Sequence, residues 1–161
     1  MLYVRHELQE KLTPPVYGWH NVRNPNFVAQ DQIVFRPGAA KYEAGTQNLL
    51  GLIGLVAALE LVLELGVENI RMELLRKRSW LVPALQAKGY AVLNAESKAD
   101  NASGIVSCHK PGVDLAPVQQ KLSEAGVVAS LRTDRGGIHY LRFSPHFYNT
   151  DDELRRALEF L

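Results

Sequence analysis

A chain of 161 residues that is 47% hydrophobic can bury roughly two-thirds of the surface its unfolded form exposes, enough for one ordinary core. Eighteen Lys and Arg against 17 Asp and Glu leave a formal charge of +1, so no global field draws the protein to nucleic acid or to an anionic membrane. The single cysteine, Cys108, excludes an internal disulfide, and with no basic-then-apolar leader ahead of Leu2 to Arg5 a cytoplasmic protein is expected.

Residues 1 to 5, MLYVR, read as the end of a strand, and His6 to Leu12 as a turn or two of helix stopped by Pro14 and Pro15. From Thr13 to Glu43 no period is sustained. Prolines at 14, 15, 25 and 37 and glycines at 18 and 38 mark an irregular connection, and connections this long are usually functional or docked on a partner. Thr46 to Leu65 reads as a long buried helix, apolar on nearly every side. Its uncharged run LLGLIGLVAAL, eleven residues, falls short of the roughly 20 that cross a membrane. A second helix follows from Val67 to Lys88, with a kink expected at Pro83 and a stop at Gly89.

The remainder alternates: strands at Tyr90 to Leu93 and Ile105 to Cys108, a helix from Leu115 to Ala125, then strands at Val127 to Leu131 and Ile138 to Phe143. The last two form a hairpin across Thr133 to Gly137, which predicts an antiparallel or mixed sheet. Thr150 opens the final helix, where Thr150 and Glu153 have the spacing of a capping box. The fold class is α/β (α+β), a three- to four-stranded, mainly antiparallel sheet covered by helices.

Three sets of residues could carry chemistry. Gly45 and Thr46 sit where the long helix should begin: free N–H groups, a bare backbone and a hydroxyl suit a phosphate, although Thr46 could equally serve only as a helix cap. Arg132 and Arg142 lie in the last hairpin, where a guanidinium on a rigid strand can grip a carboxylate in bidentate fashion or simply form an ion pair. Trp19 and His20, in the irregular segment, offer an indole N–H and an imidazole, or a docking anchor. Cys108 and His109 are adjacent on a strand, so they face opposite ways and make no metal pair. Arg71, Arg76, Lys77 and Arg78 interleave with Glu68 and Glu73, the pattern of a solvated helix face.

The segments Tyr42-Glu43-Ala44-Gly45-Thr46-Gln47-Asn48 and Arg142-Phe143-Ser144-Pro145-His146-Phe147-Tyr148-Asn149-Thr150 together resemble class V aminotransferases, the group that includes isopenicillin N epimerase, kynureninase and cysteine desulfurases. The likeness extends over essentially the whole chain, with the motifs closest to epimerase-like and kynureninase-like members. It implies a pyridoxal-phosphate enzyme of fold type I. Residues 1–65 would then be the end of the large cofactor-binding domain, including an interface helix, and 66–161 the C-terminal small domain. By the same resemblance, Gly45 and Thr46 contact the cofactor phosphate of a neighbouring subunit in a homodimer, Trp19 approaches that phosphate, and Arg142 binds the carboxylate of a small amino-acid substrate, with Arg132 as a second candidate.

The resemblance also implies what this stretch does not supply. The family's Schiff-base lysine, its acidic partner for the pyridine nitrogen and its ring-stacking residue lie ahead of the strand that Leu2 to Arg5 resembles, and none of the seven lysines here, at 11, 41, 77, 88, 98, 110 and 121, matches. No catalytic residue is therefore assigned. A truncated or split enzyme, inactive alone, is expected, with a noncatalytic interaction or structural domain as the alternative. Cysteine desulfurases carry a nucleophilic cysteine upstream of the carboxylate arginine, and residues 109–142 contain none, which disfavours desulfurase activity.

Overall fold

A computed structural model describes residues 2–23 and 32–161, which form two compact units, Met1–Ala58 and Leu59–Leu161. In the first unit, the strand expected at the start does not form: Leu2 to Arg5 meet no pairing edge among the described residues, and a strand needs one. Helix α1 spans His6–Gln9. The irregular connection then carries one antiparallel bridge, Val22 to Phe35, and a 3-10 turn at Gly38–Tyr42. Its middle, with Pro25, lies outside the described residues.

Asn21 holds this irregular segment together. It is wholly buried, and its side-chain amide donates to the carbonyls of Val16 (2.9 Å) and Lys41 (3.0 Å) while its oxygen accepts the Gly18 N–H (2.9 Å). A segment without ladder hydrogen bonds must satisfy its buried backbone groups some other way, and one side chain here serves three of them. The Tyr42 hydroxyl adds contacts to the carbonyls of Gln9 (3.4 Å) and Leu12 (3.3 Å).

Helix α2 spans Leu49–Leu65, three residues shorter at its start than the sequence predicts. Asn48 takes the capping place: its side-chain oxygen accepts the Gly51 N–H (3.0 Å) and its carbonyl accepts the Leu52 N–H (2.9 Å). Asn outranks Thr as a cap, and Thr46 is left in the approach to the helix. Although the sequence marks α2 for burial, none of its 17 residues is buried here, and Leu50 is 83% exposed. An apolar helix of this kind is hidden only where other elements surround it on several sides. Among the described residues, no single helix is long and apolar enough to cross a membrane.

The second unit contains α3 (Val67–Ala87), which runs through Pro83, α4 (Ala116–Glu124) and α5 (Asp151–Glu159). Its four strands, β1 (Ala91–Val92), β2 (Val106–His109), β3 (Ser130–Thr133) and β4 (His139–Phe143), form one antiparallel sheet in the order β1-β2-β4-β3. The β3–β4 hairpin predicted from sequence is present, with the Asp134 carboxylate accepting the N–H groups of Gly136 (2.8 Å) and Ile138 (2.9 Å) across its turn. Val106, Cys108, Leu141 and Phe143 face the helices and pack with Leu81, Leu85 and Leu122 into the core. The capping box is also present: Glu153 N–H donates to Thr150 Oγ1 (3.2 Å) and Thr150 N–H to Glu153 Oε2 (2.8 Å).

The basic stretch on α3 is only in part the solvated face that its charge pattern suggests: Arg71 and Arg76 are exposed, Lys77 and Arg78 are not. Lys77 is 1% exposed, donating to Glu73 and to the Phe147 carbonyl (3.3 Å). Arg78 is also buried, reaching the carbonyls of Ile105 (3.1 Å) and Asn94 (2.6 Å). Arg76 bridges two helices, bonding Glu73 on α3 and, through both terminal nitrogens, Asp151 on α5 (2.7 and 2.9 Å). Partners this far away in sequence are invisible to a helical-spacing pattern. Hydrogen bonds from Arg76, and then from Lys77, hold the Glu73 carboxyl down at about 2.

Glu73 therefore contributes stability that is complete above its ordinary value of 4.5 and is lost as pH falls through about 2. Thermal unfolding from pH 7 downward will show a midpoint that is level to about 5 and then declines; Glu73→Gln will lower the neutral midpoint and flatten the decline. An unchanged acid limb in that variant would show that the carboxyl is not coupled to folding. For the first unit, Asn21→Ala will expose the Gly18 amide to solvent exchange and cost roughly 1–3 kcal/mol of local stability. Unaltered Gly18 exchange would contradict the anchoring role.

Candidate functional site

Of the three sequence-derived sets, two fall in the first unit and one in the second. In the first, Gly18-Trp19-His20 and Ala44-Gly45-Thr46 are brought side by side. A Cβ built on Gly18 would lie 1.9 Å from the Ala44 carbonyl oxygen, so only glycine permits this approach, and the His20 N–H donates to the same oxygen (3.3 Å). Trp19 is 60% exposed, with its ring 4.1 Å from that of His20. The Asn21 cluster sets the path of this loop, a positioning role that pattern reading missed because an isolated Asn in a polar segment carries no signal.

Gly45 is accounted for by neither backbone conformation nor packing. Its φ is not positive, and an added Cβ would meet nothing within 4 Å. The N–H groups of Gly45 and Thr46 have no acceptor among the described residues, and both residues are exposed. Two open donors and a hydroxyl on a bare backbone, just ahead of the N-terminus of α2, form a surface suited to an anion.

In the second unit, strand alternation sorts the sheet into two faces. Opposite the core face, the register places Ser107, Arg142 and Ser130 in one row across β2, β4 and β3. The next row holds His109, Tyr140 and Arg132, with the His109 and Tyr140 rings 5.2 Å apart at an edge angle. The helices of this unit pack against the other face. Arg142 is half-buried, and its Nε is buried with no hydrogen-bond partner among the described residues. The structure thus places Arg142 and Arg132 on one polar face, flanked by hydroxyls and an imidazole that became evident only once the register was known.

Cys108 points the other way, into the core. It is fully buried, and desolvation pushes its thiol up to about 12, so it is neither nucleophile nor ligand at neutral pH. Among the described residues, no group of three or more His, Cys, Asp or Glu could hold a metal ion.

Comparison with known proteins adds to this geometry. The chain is 27% identical over 98% of its length to the uncharacterized aminotransferase YcbU of Bacillus subtilis, and 28% identical over 96% to a probable cysteine desulfurase of Methanothermobacter thermautotrophicus; it spans 39% and 40% of these proteins. Among solved structures it resembles the cysteine desulfurase CsdA of Escherichia coli (25% identity, TM-score 0.78) and an apo cysteine desulfurase of Thermococcus onnurineus (22%, TM-score 0.84), in each case over 98% of this chain and 40% of the other. A C-DES mutant with glycine covalently linked to its PLP cofactor has the same fold (22%, TM-score 0.77). The four-stranded antiparallel sheet with its helices is thus that of fold type I enzymes, and these relatives are desulfurases and an aminotransferase, not epimerase-like or kynureninase-like members. The family model for aminotransferase class-V matches residues 1–156, and the chain belongs to that family.

Proposed function

We propose that this chain supplies anion-binding parts of a pyridoxal-phosphate enzyme acting on an amino acid by amino-group transfer, epimerisation or elimination. The lysine that carries the cofactor is not one of its own seven. The chain spans about 40% of its relatives' length, so the reaction is assigned to a whole enzyme and not to these residues by themselves. In this reading, residues 1–65 belong to the large cofactor-binding domain and 66–161 form the small domain.

The residues present fit the cofactor and substrate in charge and in donor type. Gly45 and Thr46 would donate backbone N–H and hydroxyl groups to the cofactor phosphate across a homodimer interface, and Trp19 would add its indole N–H. When bound, pyridoxal phosphate draws electrons from the substrate's α-carbon and loosens the bonds there. Arg142 holds the α-carboxylate and so fixes the orientation of the amino acid. Trp19 is also what carries the narrower likeness to kynureninase-like members. A desulfurase reaction using Cys108 does not fit, because that thiol is buried and protonated.

Arg142 carries the proposal, since a buried guanidinium nitrogen without an acceptor is costly unless a ligand completes it. Lys77 is disfavoured as a Schiff-base residue, because it is buried and its amine is already taken up by Glu73 and the Phe147 carbonyl. The exposed apolar surface of α2 favours a second reading, a noncatalytic interaction domain in which that helix is a protein contact. Titration with L-alanine, followed at the arginine Nε–H resonances, separates the two. The Arg142 signal will shift saturably, and Arg142→Gln will weaken binding about tenfold or more, the loss of one charge-assisted pair. Equal affinity in the glutamine variant would remove Arg142 from the site and favour the interaction domain.

A further inference from the structure

The polar sheet face carries two arginines without acceptors among the described residues, not one. Arg71, Arg76 and Arg155 pair with carboxylates, and Arg78 and Arg156 bond carbonyls. Arg142 and Arg132 have no ion pair among the described residues, nor does Arg135 in the hairpin turn beyond them. Arg132 lies opposite Tyr140, which is two residues from Arg142 on the same strand. Diagonal neighbours across a strand pair are roughly 7–8 Å apart at the backbone, within reach of long side chains. That separation suits the two ends of a short dianionic molecule better than a single carboxylate, which one guanidinium fork already satisfies.

The surroundings agree in charge. The nearest carboxylate in the register, Asp134, is occupied by the turn: it accepts the Gly136 and Ile138 N–H groups and the Tyr140 hydroxyl (3.4 Å), and it forms no ion pair with Arg132. Ser107 and Ser130 on either side of Arg142 are short and uncharged, and in the next row His109 and Tyr140 lie edge to face, with Arg132 opposite Tyr140. Two cations held on one rigid face repel each other, and a dianion removes that repulsion as it binds.

We infer that Arg142 and Arg132 act together, so that the substrate is an amino acid bearing a second anionic group, carboxylate or phosphate, which Arg132 receives. This rests on the assignment of Arg142 to the α-carboxylate. Binding of L-glutamate, O-phospho-L-serine and L-alanine to the wild type, Arg132→Gln and Arg142→Gln, at one fixed ionic strength, tests it. At least one of the two dianionic ligands will bind the wild type about tenfold more tightly than L-alanine, and Arg132→Gln will cut that advantage to within about twofold. Whichever of the two gains more identifies the second group. No advantage in the wild type, or an advantage that survives Arg132→Gln, would overturn the inference. Undiminished L-alanine binding by Arg142→Gln would instead overturn the α-carboxylate assignment beneath it. Arg132 is exposed, so its variant will unfold at the wild-type temperature, which separates lost binding from lost fold.

Discussion

The proposed substrate site depends on one constraint, the alternation of side chains along β4 in a sheet whose other face is packed against helices. Leu141 and Phe143 are driven into the core, and the residues between and before them, Arg142 and Tyr140, must then face the other way. The central position of β4, paired on both edges, fixes its register, and a slip of one residue would exchange the core for the polar face. The hydrophobic core is thus also what aims the arginine. Cys108, on the core side of β2, obeys the same rule in the opposite sense.

Charged and polar side chains complete the framework where apolar packing does not reach. Arg76 couples α3 to α5, and Arg78 ties α3 to the carbonyls at Asn94 and Ile105, beside the first two strands. In the first unit, where regular structure is sparse, Asn21 does with three hydrogen bonds what a strand ladder does elsewhere, and Gly18 allows the close approach that sets the Gly18-Trp19-His20 turn against Ala44, the residue before Gly45. Both proposed anion-binding surfaces rest on buried restraints.

Much of the fold was legible in the sequence, because it was written in local periods. The α3 and α4 helices, the β3–β4 hairpin and the Thr150 capping box all follow from spacing within a dozen or so residues. Local rules failed where the partner was distant or where two signals competed. Lys77 and Arg78 read as solvated because Phe147 and Ile105 are far along the chain; Thr46 gave way to Asn48 as the cap; Leu2 to Arg5 had strand character but no edge to join. Of the candidate site, Arg142 and Gly45-Thr46 were evident as motifs. Ser107, His109 and Tyr140 were not, since only the pairing register brings them beside the arginine.

The most direct test of the account is whether any lysine of this chain takes the cofactor. Incubation with pyridoxal phosphate, reduction with borohydride and peptide mapping will locate every lysine that forms the imine. The account predicts sub-stoichiometric label scattered over exposed lysines such as Lys11, Lys88 and Lys121, with no single site dominant. One lysine labelled to completion, with the absorbance of a bound Schiff base, would contradict it and make this chain a catalytic unit in its own right.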